Sequence, residues 1–582
     1  MKKLAVAGSI LALVLCGFGV QAAERSKNWN ALVDEYLDRI YFPQNPSAAT
    51  MAGIHEYDTQ IENFSKAGIE QEIRSLKVYE KRVSQFPVQG LPSVEAADRE
   101  ILLGQIRSQL LTLQVLRPLE KDPDAYSASV TNSVYVLMNR KFAPPEERLR
   151  SVLARERKIP AILQAARENL KNPPLIFTQI AIEQLPGIEE FFAKDVPQAF
   201  AEVKDKQLNA EFAKSNQVTV EALRKYEEWL KTEILPRSNG DFRIGGENFS
   251  RKLLYEDMVS TPLDRLQEIG MQDLRKNQAA LRKLTQEIDG NKTPSEVMGQ
   301  LALMHPPPDK LLETFRGTFD GLTKFIRDKK IITIPEGPRP IVQETPPFER
   351  ATTTASMDTP GPFETKATES YFNVTLPGAH DSAPEIESMM AAYNVGTIVS
   401  TSAHETYPGH FMQYLWTPKA PSKLRKVFYS NTNSEGWAHY CEQMMLDEGF
   451  GQPGVGAKDA REAKFIRLGQ LQDALLRDAR FVVGIKMHTG QMSFAEAEDF
   501  FVKEGFQPAK IAEIESKRGT SDPTYLYYTL GKLQIMKLRE DYKAKAGQGF
   551  TLMKFHDEFM EQGAPPIAVV RKAMLGNDSP VL

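Results

Sequence analysis

Apolar residues recur every three or four positions along most of the chain. Between residues 140 and 235, Leu149, Val152 and Leu153, and later Leu223, Tyr226 and Leu230, follow this rhythm. It predicts amphipathic helices that bury one stripe each. Proline clusters at 173–174, 306–308 and 335–347 interrupt the helical stretches. No repeat of constant period is visible. One short segment breaks the rhythm. In residues 370–376, SYFNVTL, Phe372, Val374 and Leu376 alternate with Tyr371, Asn373 and Thr375. Period two predicts a strand with one buried face, and Pro377-Gly378 supplies a turn after it. The expected fold class is mainly α, a large multi-helix fold with a small β-sheet or edge strand.

The first 22 residues follow neither pattern. Lys2 and Lys3 precede an apolar run from Leu4 to Val20, and small residues follow at Ala22 and Ala23. This is the form of a cleavable secretory signal peptide, and the run is short for a membrane anchor. A lipoprotein reading would use Cys16, but Leu15 stands before it where a small residue is usual. Residues 23–582 are then expected to form one large domain in the periplasm or outside the cell, without stable membrane insertion. Its helical N-terminal lobe would run to about residue 250 and a C-terminal lobe from about 251 to 582.

Composition narrows the function. The chain has 582 residues, 41% hydrophobic and 25% charged, with 72 basic and 76 acidic side chains and a net charge of −4. A disordered chain and a disulfide-stapled scaffold are excluded. Nothing favours a polyanion, so no nucleic-acid partner is expected. Of two cysteines, Cys16 leaves with the signal segment and Cys441 remains alone. No internal disulfide can form in the mature chain.

The chemistry concentrates in residues 400–416, STSAHETYPGHFMQYLW. His404 and Glu405 stand together, and His410 follows six residues after His404. Helical zinc hydrolases commonly space the two histidines by four, one turn apart on one face. Six residues rotate by about 600°, which takes His410 off that face of a regular helix. Pro408 clashes with the carbonyl four residues back, that of His404, and Gly409 accepts unusual backbone. The expectation is a bulged or kinked turn that lets both imidazoles converge. A zinc site needs a third protein ligand. Downstream, NSEGWAHYCEQMM predicts a helix with Glu435, His439 and Glu442 along one face and Trp437, Cys441 and Met444 opposite. Cys441 is expected to be buried packing and not a ligand.

HETYPGH followed by EGWAHY resembles the bacterial domain-of-unknown-function 885 family, which is itself similar to the gluzincin metallopeptidases. The resemblance implies His404, His410 and Glu435 as metal ligands, one Zn2+ per chain, Glu405 as general base and a deep cleft walled by the helical lobe. His439 falls at a variable position, read as a support to the ligands or as surface. Arg480 and His488 fit the family pattern, although Gly484-Ile485-Lys486 stands where an acid is expected. Arg518, Pro523, Tyr528 and Gly531 also fit, with Tyr525 replacing a glutamine, as do His556, Asp557 and Gly563. Tyr528 and His488 are the candidates for stabilising the oxyanion. Tyr371 and Asn373 would bind an extended peptide by strand addition, and Arg518 would hold a substrate carboxylate. His556 is read as structural, His55 and His305 as structural or exposed, and His380 as a possible lining of the cleft. The expected function is a secreted zinc-dependent hydrolase acting on a peptide or small amide. A hydrolase of a non-peptide amide and a non-catalytic helical peptide-binding envelope protein remain open at this level.

Overall fold

The computed structural model describes residues 24–346, 350, 353–378 and 381–582. The segment read as a signal peptide and His380 lie outside them. The fold is mainly α. The rhythm over residues 140–235 corresponds to helices Pro145–Glu156, Ile159–Asn169, Leu175–Glu190 and Lys206–Trp229. Leu149, Val152, Leu223, Tyr226 and Leu230 are buried in one apolar cluster beneath them. The proline pair at 173–174 lies between two of these helices, but Pro186 lies inside one. A second cluster joins Trp29, Tyr36 and Leu102 of the N-terminal part to Leu424 and Phe428. The early helices thus pack directly on the segment that follows the histidine motif. Among the described residues no helix is long and apolar enough to cross a membrane.

The C-terminal part is built on long helices: α1 (Leu263–Ile288), α2 (Leu311–Lys329), α3 (Val395–Glu405), α4 (His410–Trp416), α5 (Asn431–Asp447), α6 (Ala460–His488), α7 (Ala509–Ser521) and α8 (Tyr527–Ala546). Asn394 starts α3 by accepting hydrogen bonds from the amides of Gly396 and Thr397, and Asp459 does the same for Arg461 and Glu462 of α6. Each cap satisfies amides that the helix itself leaves unpaired. Two helix crossings depend on paired glycines. A Cβ on Gly396 would lie 2.7 Å from the Cα of Gly469, and one on Gly436 would lie 2.5 Å from the Cα of Gly531. These contacts bring α3 against α6 and α5 against α8 at backbone distance.

The three-stranded sheet has the order β1 (Ile341–Glu344), β3 (Tyr371–Val374), β2 (Ala355–Asp358). β3 pairs parallel to β1, with Phe372 opposite Val342, and antiparallel to β2, with Phe372 opposite Met357. Phe372 and Val374 pack on α2, where the Phe315 ring meets Phe372 edge-on at 5.2 Å. Two expectations are corrected here. The segment is the central strand and not an edge, so neither of its sides is open to an added peptide strand. Its polar face is also buried: Asn373 and Thr375 are 1% and 4% exposed. Hydrogen bonds within the sheet satisfy them, Gln343 donating to Asn373 at 2.9 Å and Thr375 to Thr345 at 2.9 Å.

Candidate metal centre

The turn expected within the histidine motif is present, and it divides the motif between two helices. α3 stops at Glu405. Thr406 leaves helical geometry at φ −112°, ψ −90°, the Tyr407–Pro408 bond is cis, and α4 begins at His410. A Cβ on Gly409 would fall on the carbonyl of His404, so the turn closes this tightly only with glycine there. Trp437 of α5 donates from Nε1 to the Pro408 carbonyl at 2.8 Å and ties the turn to the helix that carries Glu435. The two imidazoles come to 4.8 Å between ring centres, nearly perpendicular at 88°.

Glu435 meets them from the second turn of α5. Its Oε2 lies 3.5 Å from His404 Nε2 and 3.4 Å from His410 Nε2, and the potential ligand atoms of the three residues all lie within 4.8 Å of one another. That oxygen is buried and makes no hydrogen bond, an expensive state for a carboxylate without a further partner. Burial acts to raise the Glu435 pKa, but the imidazoles of His410 and His404 outweigh it and hold the carboxylate well below its usual range. The start of α5 is fixed from outside the motif: buried Asp257 accepts from the Ser430 hydroxyl and from the Thr432 amide at 3.0 Å. Nothing in the sequence pattern marks Asp257 for this role.

Glu442, two turns beyond Glu435, takes the other side of His404. Its Oε1 lies 2.7 Å from His404 Nδ1 and 3.1 Å from the Arg477 guanidinium, and its Oε2 lies 3.1 Å from His439 Nδ1. The helix face read from the sequence is therefore a chain of contacts, with Glu435 and Glu442 gripping opposite edges of one imidazole. His439 is fully buried, not surface; burial drives its pKa down to about 3, so the ring is neutral. Burial lowers His404 as well, yet Glu435, Glu442 and Glu405 together raise it to about 10. Arg477 escaped sequence reasoning, because an arginine on a long helix carries no spacing signal.

Glu405 is half-buried at the end of α3. Burial raises its pKa, and the positive character of His404 and His410 works in the opposite direction. Tyr528, at the start of α8, stacks on His404 at 6.3 Å between ring centres. The guanidinium groups of Arg480, Arg477 and Arg518 surround its ring at 4.9, 5.8 and 5.8 Å. Burial first, and Glu435 second, raise the Tyr528 pKa, which keeps the phenol protonated. Arg480 is committed to a buried two-pronged pair with Glu515 at 2.6 and 2.7 Å. Tyr429 also faces Glu435 electrostatically and is 65% exposed; it too was not singled out from the sequence.

Other sequence candidates do not reach this cluster. His488 is fully buried, and its nitrogens are taken by backbone: Nε2 by the Gly519 carbonyl at 2.8 Å and Nδ1 by the Ile244 amide at 3.4 Å. It is not placed to meet an oxyanion. Tyr371 and Asn373 lie within the sheet, with Arg140 over the Tyr371 ring at 5.9 Å and Ser356 accepting from Asn373 at 3.3 Å. His556 links the Ile331 carbonyl to the Tyr440 hydroxyl. His55 bridges Asp58 and Glu364, and His305 meets the Pro306 carbonyl and Glu387. Cys441 is free and buried, off the ligand face.

Solved structures share this architecture. A candidate lipoprotein of unknown function from Shewanella oneidensis is 26% identical, with a TM-score of 0.77 over 94% of this chain and 98% of its own. A candidate lipoprotein from Colwellia psychrerythraea shares the fold at 19% identity, with a TM-score of 0.77 over 95% of this chain and 99% of its own. No curated protein matches the chain. The profile of the bacterial proteins of unknown function called DUF885 matches residues 46–574, and the chain therefore belongs to the DUF885 family.

Proposed function

We propose that this protein is an exported zinc-dependent hydrolase of peptide bonds, working in the manner of the gluzincin metallopeptidases. One observation carries the reading: two imidazole nitrogens and a buried carboxylate oxygen with no hydrogen bond converge within 4.8 Å. Two nitrogens and one oxygen suit a borderline-soft divalent ion, and three protein ligands leave a coordination position open. His404, His410 and Glu435 would hold the ion, with Glu442 fixing the orientation of His404 through Nδ1. When bound, zinc supplies Lewis acidity and lowers the pKa of water towards about 7.

The chain's own residues do the rest. Glu405, next to His404 and drawn upward in pKa by burial, takes a proton from the attacking water and delivers it to the departing nitrogen. Tyr528, held as a neutral phenol beside His404, donates a hydrogen bond to the substrate carbonyl oxygen as negative charge builds there. Its arginine neighbours fix the ring in place. Export fits the sequence of residues 1–22 and the lipoprotein descriptions of the two structural neighbours.

Metal analysis combined with a peptide-library cleavage assay tests this. Wild type is expected to hold about one zinc per chain and to cleave. Glu405→Gln should keep the zinc and lose at least about 100-fold in turnover, the usual size of a general-base contribution. Full activity in that variant would sink the mechanism.

A further inference from the structure

Three arginines ring Tyr528, and they are not equivalent. Arg480 is spent on Glu515, and Arg477 on Glu442; their side chains are 8% and 14% exposed. Arg518 is 35% exposed, and its one carboxylate contact, Asp522, is a single 3.4 Å approach of NH2. Asp522 is at the same time the acceptor for the Tyr527 hydroxyl at 2.8 Å. The same NH2 reaches the hydroxyls of Tyr527 at 3.2 Å and Tyr528 at 3.3 Å. Arg518 thus keeps a guanidinium edge free of any two-pronged carboxylate. A structural arginine at a buried site would normally use that edge, as Arg480 does.

Its position relative to the metal cluster is bounded by the shared tyrosine. The Tyr528 ring lies 6.3 Å from the His404 ring and 5.8 Å from the Arg518 guanidinium carbon. Arg518 and His404 are therefore at most about 12 Å apart, within the reach of a few extended residues. A carboxylate held on Arg518 lies within the length of a salt bridge of that guanidinium. The span from that carboxylate to a carbonyl at the metal centre is at most a few extended residues.

We propose that Arg518 anchors the free terminal carboxylate of the substrate, so that the site accepts short peptides or N-acylated amino acids and cleaves within a few residues of that end. This rests on the hydrolase reading and supplies its substrate class. Tyr527 and Tyr528 hold the guanidinium in register, and Tyr528 links the anchor to the reacting carbonyl.

The test uses binding as well as turnover. Zinc-loaded Glu405→Gln protein is titrated calorimetrically with N-acetylated di- and tripeptides, each as the free acid and as the C-terminal amide. The free acids are expected to bind at least ten-fold tighter than the amides. Adding Arg518→Met should abolish that difference, and Arg518→Lys should restore part of it. Equal binding of acid and amide, or an equal loss of both on Arg518→Met, overturns the anchor. The wild-type cleavage assay separates the two readings. Arg518-dependent acid binding without cleavage leaves the anchor standing and removes the hydrolase. Cleavage of amides as fast as acids removes the anchor and leaves the hydrolase.

Discussion

His404 has a carboxylate beside each ring nitrogen: Glu442 is hydrogen-bonded at Nδ1, and Glu435 lies 3.5 Å from Nε2. A bare pair of histidines would be free to rotate, but this one has its tautomer and plane set by Glu442. Buried Glu442 is in turn held by Arg477 and by buried His439. Glu442→Gln keeps the volume of the side chain but loses one acceptor oxygen and the charge that pairs with Arg477. Supports of this kind are worth roughly 10- to 100-fold in metal affinity. Zinc competition with a chelator should show a loss of that size in Glu442→Gln, whereas Cys441→Ser should leave zinc stoichiometry unchanged. An unaltered zinc affinity in Glu442→Gln would remove its orienting role. At this scale the sequence made the ligand candidates visible, because short motifs place chemistry at fixed spacing. It did not show which partners hold them. Arg477 and Asp257 come from helices far away in the chain, and no local pattern reports such a contact.

At the scale of elements, the site is a product of how closely α5 and α8 approach. Gly436 and Gly531 meet at the crossing, and the Cβ of an alanine at 531 would overlap the Thr432 carbonyl in the first turn of α5. Glu435 follows Thr432 by three residues, in the next turn. Overpacking a tight contact costs typically about 1–3 kcal/mol. Gly531→Ala should therefore lower the urea midpoint accordingly and weaken zinc binding at the same time, while an alanine at the open position Gly549 should do neither. Loss of stability without loss of zinc affinity would detach the crossing from the site. Sequence periodicity located the helices that flank this crossing but not the crossing itself. A glycine in a helix reads as a weak point until its partner is known. The same limit explains the strand. Alternation correctly marked extended backbone at Tyr371–Val374, but pairing partners at Ile341 and Ala355 decide edge from centre. Those short strands sit in a proline-rich stretch that carries no clear strand signal.

At the scale of the whole molecule, ionisable groups are also enclosed outside the histidine cluster, and their burial ties stability to pH. Glu156, in the N-terminal helical lobe, is 1% exposed. Burial raises its pKa from 4.5 to about 7, against the opposing pull of the hydrogen bond from Asn216. The folded chain therefore keeps a proton on Glu156 between pH 4.5 and about 7, where the unfolded chain has lost it. Folded-state proton uptake in excess of the unfolded state means that stability falls as pH rises through this window and levels off above it. A shift of this size corresponds to at most about 3 kcal/mol. Glu156→Gln retains an oxygen to accept from Asn216, whose Nδ2 now donates to Glu156 at 3.0 Å, and it carries no charge at any pH. Urea unfolding should show the variant more stable than wild type at pH 8, by up to about 3 kcal/mol, with the difference shrinking towards zero at pH 4.5. A constant difference across that range would mean that the substitution acts through packing and not through the buried proton. Because Glu156 lies apart from the histidine cluster, zinc stoichiometry should be the same in both proteins at either pH where wild type binds it, which separates the stability of the scaffold from the chemistry it carries.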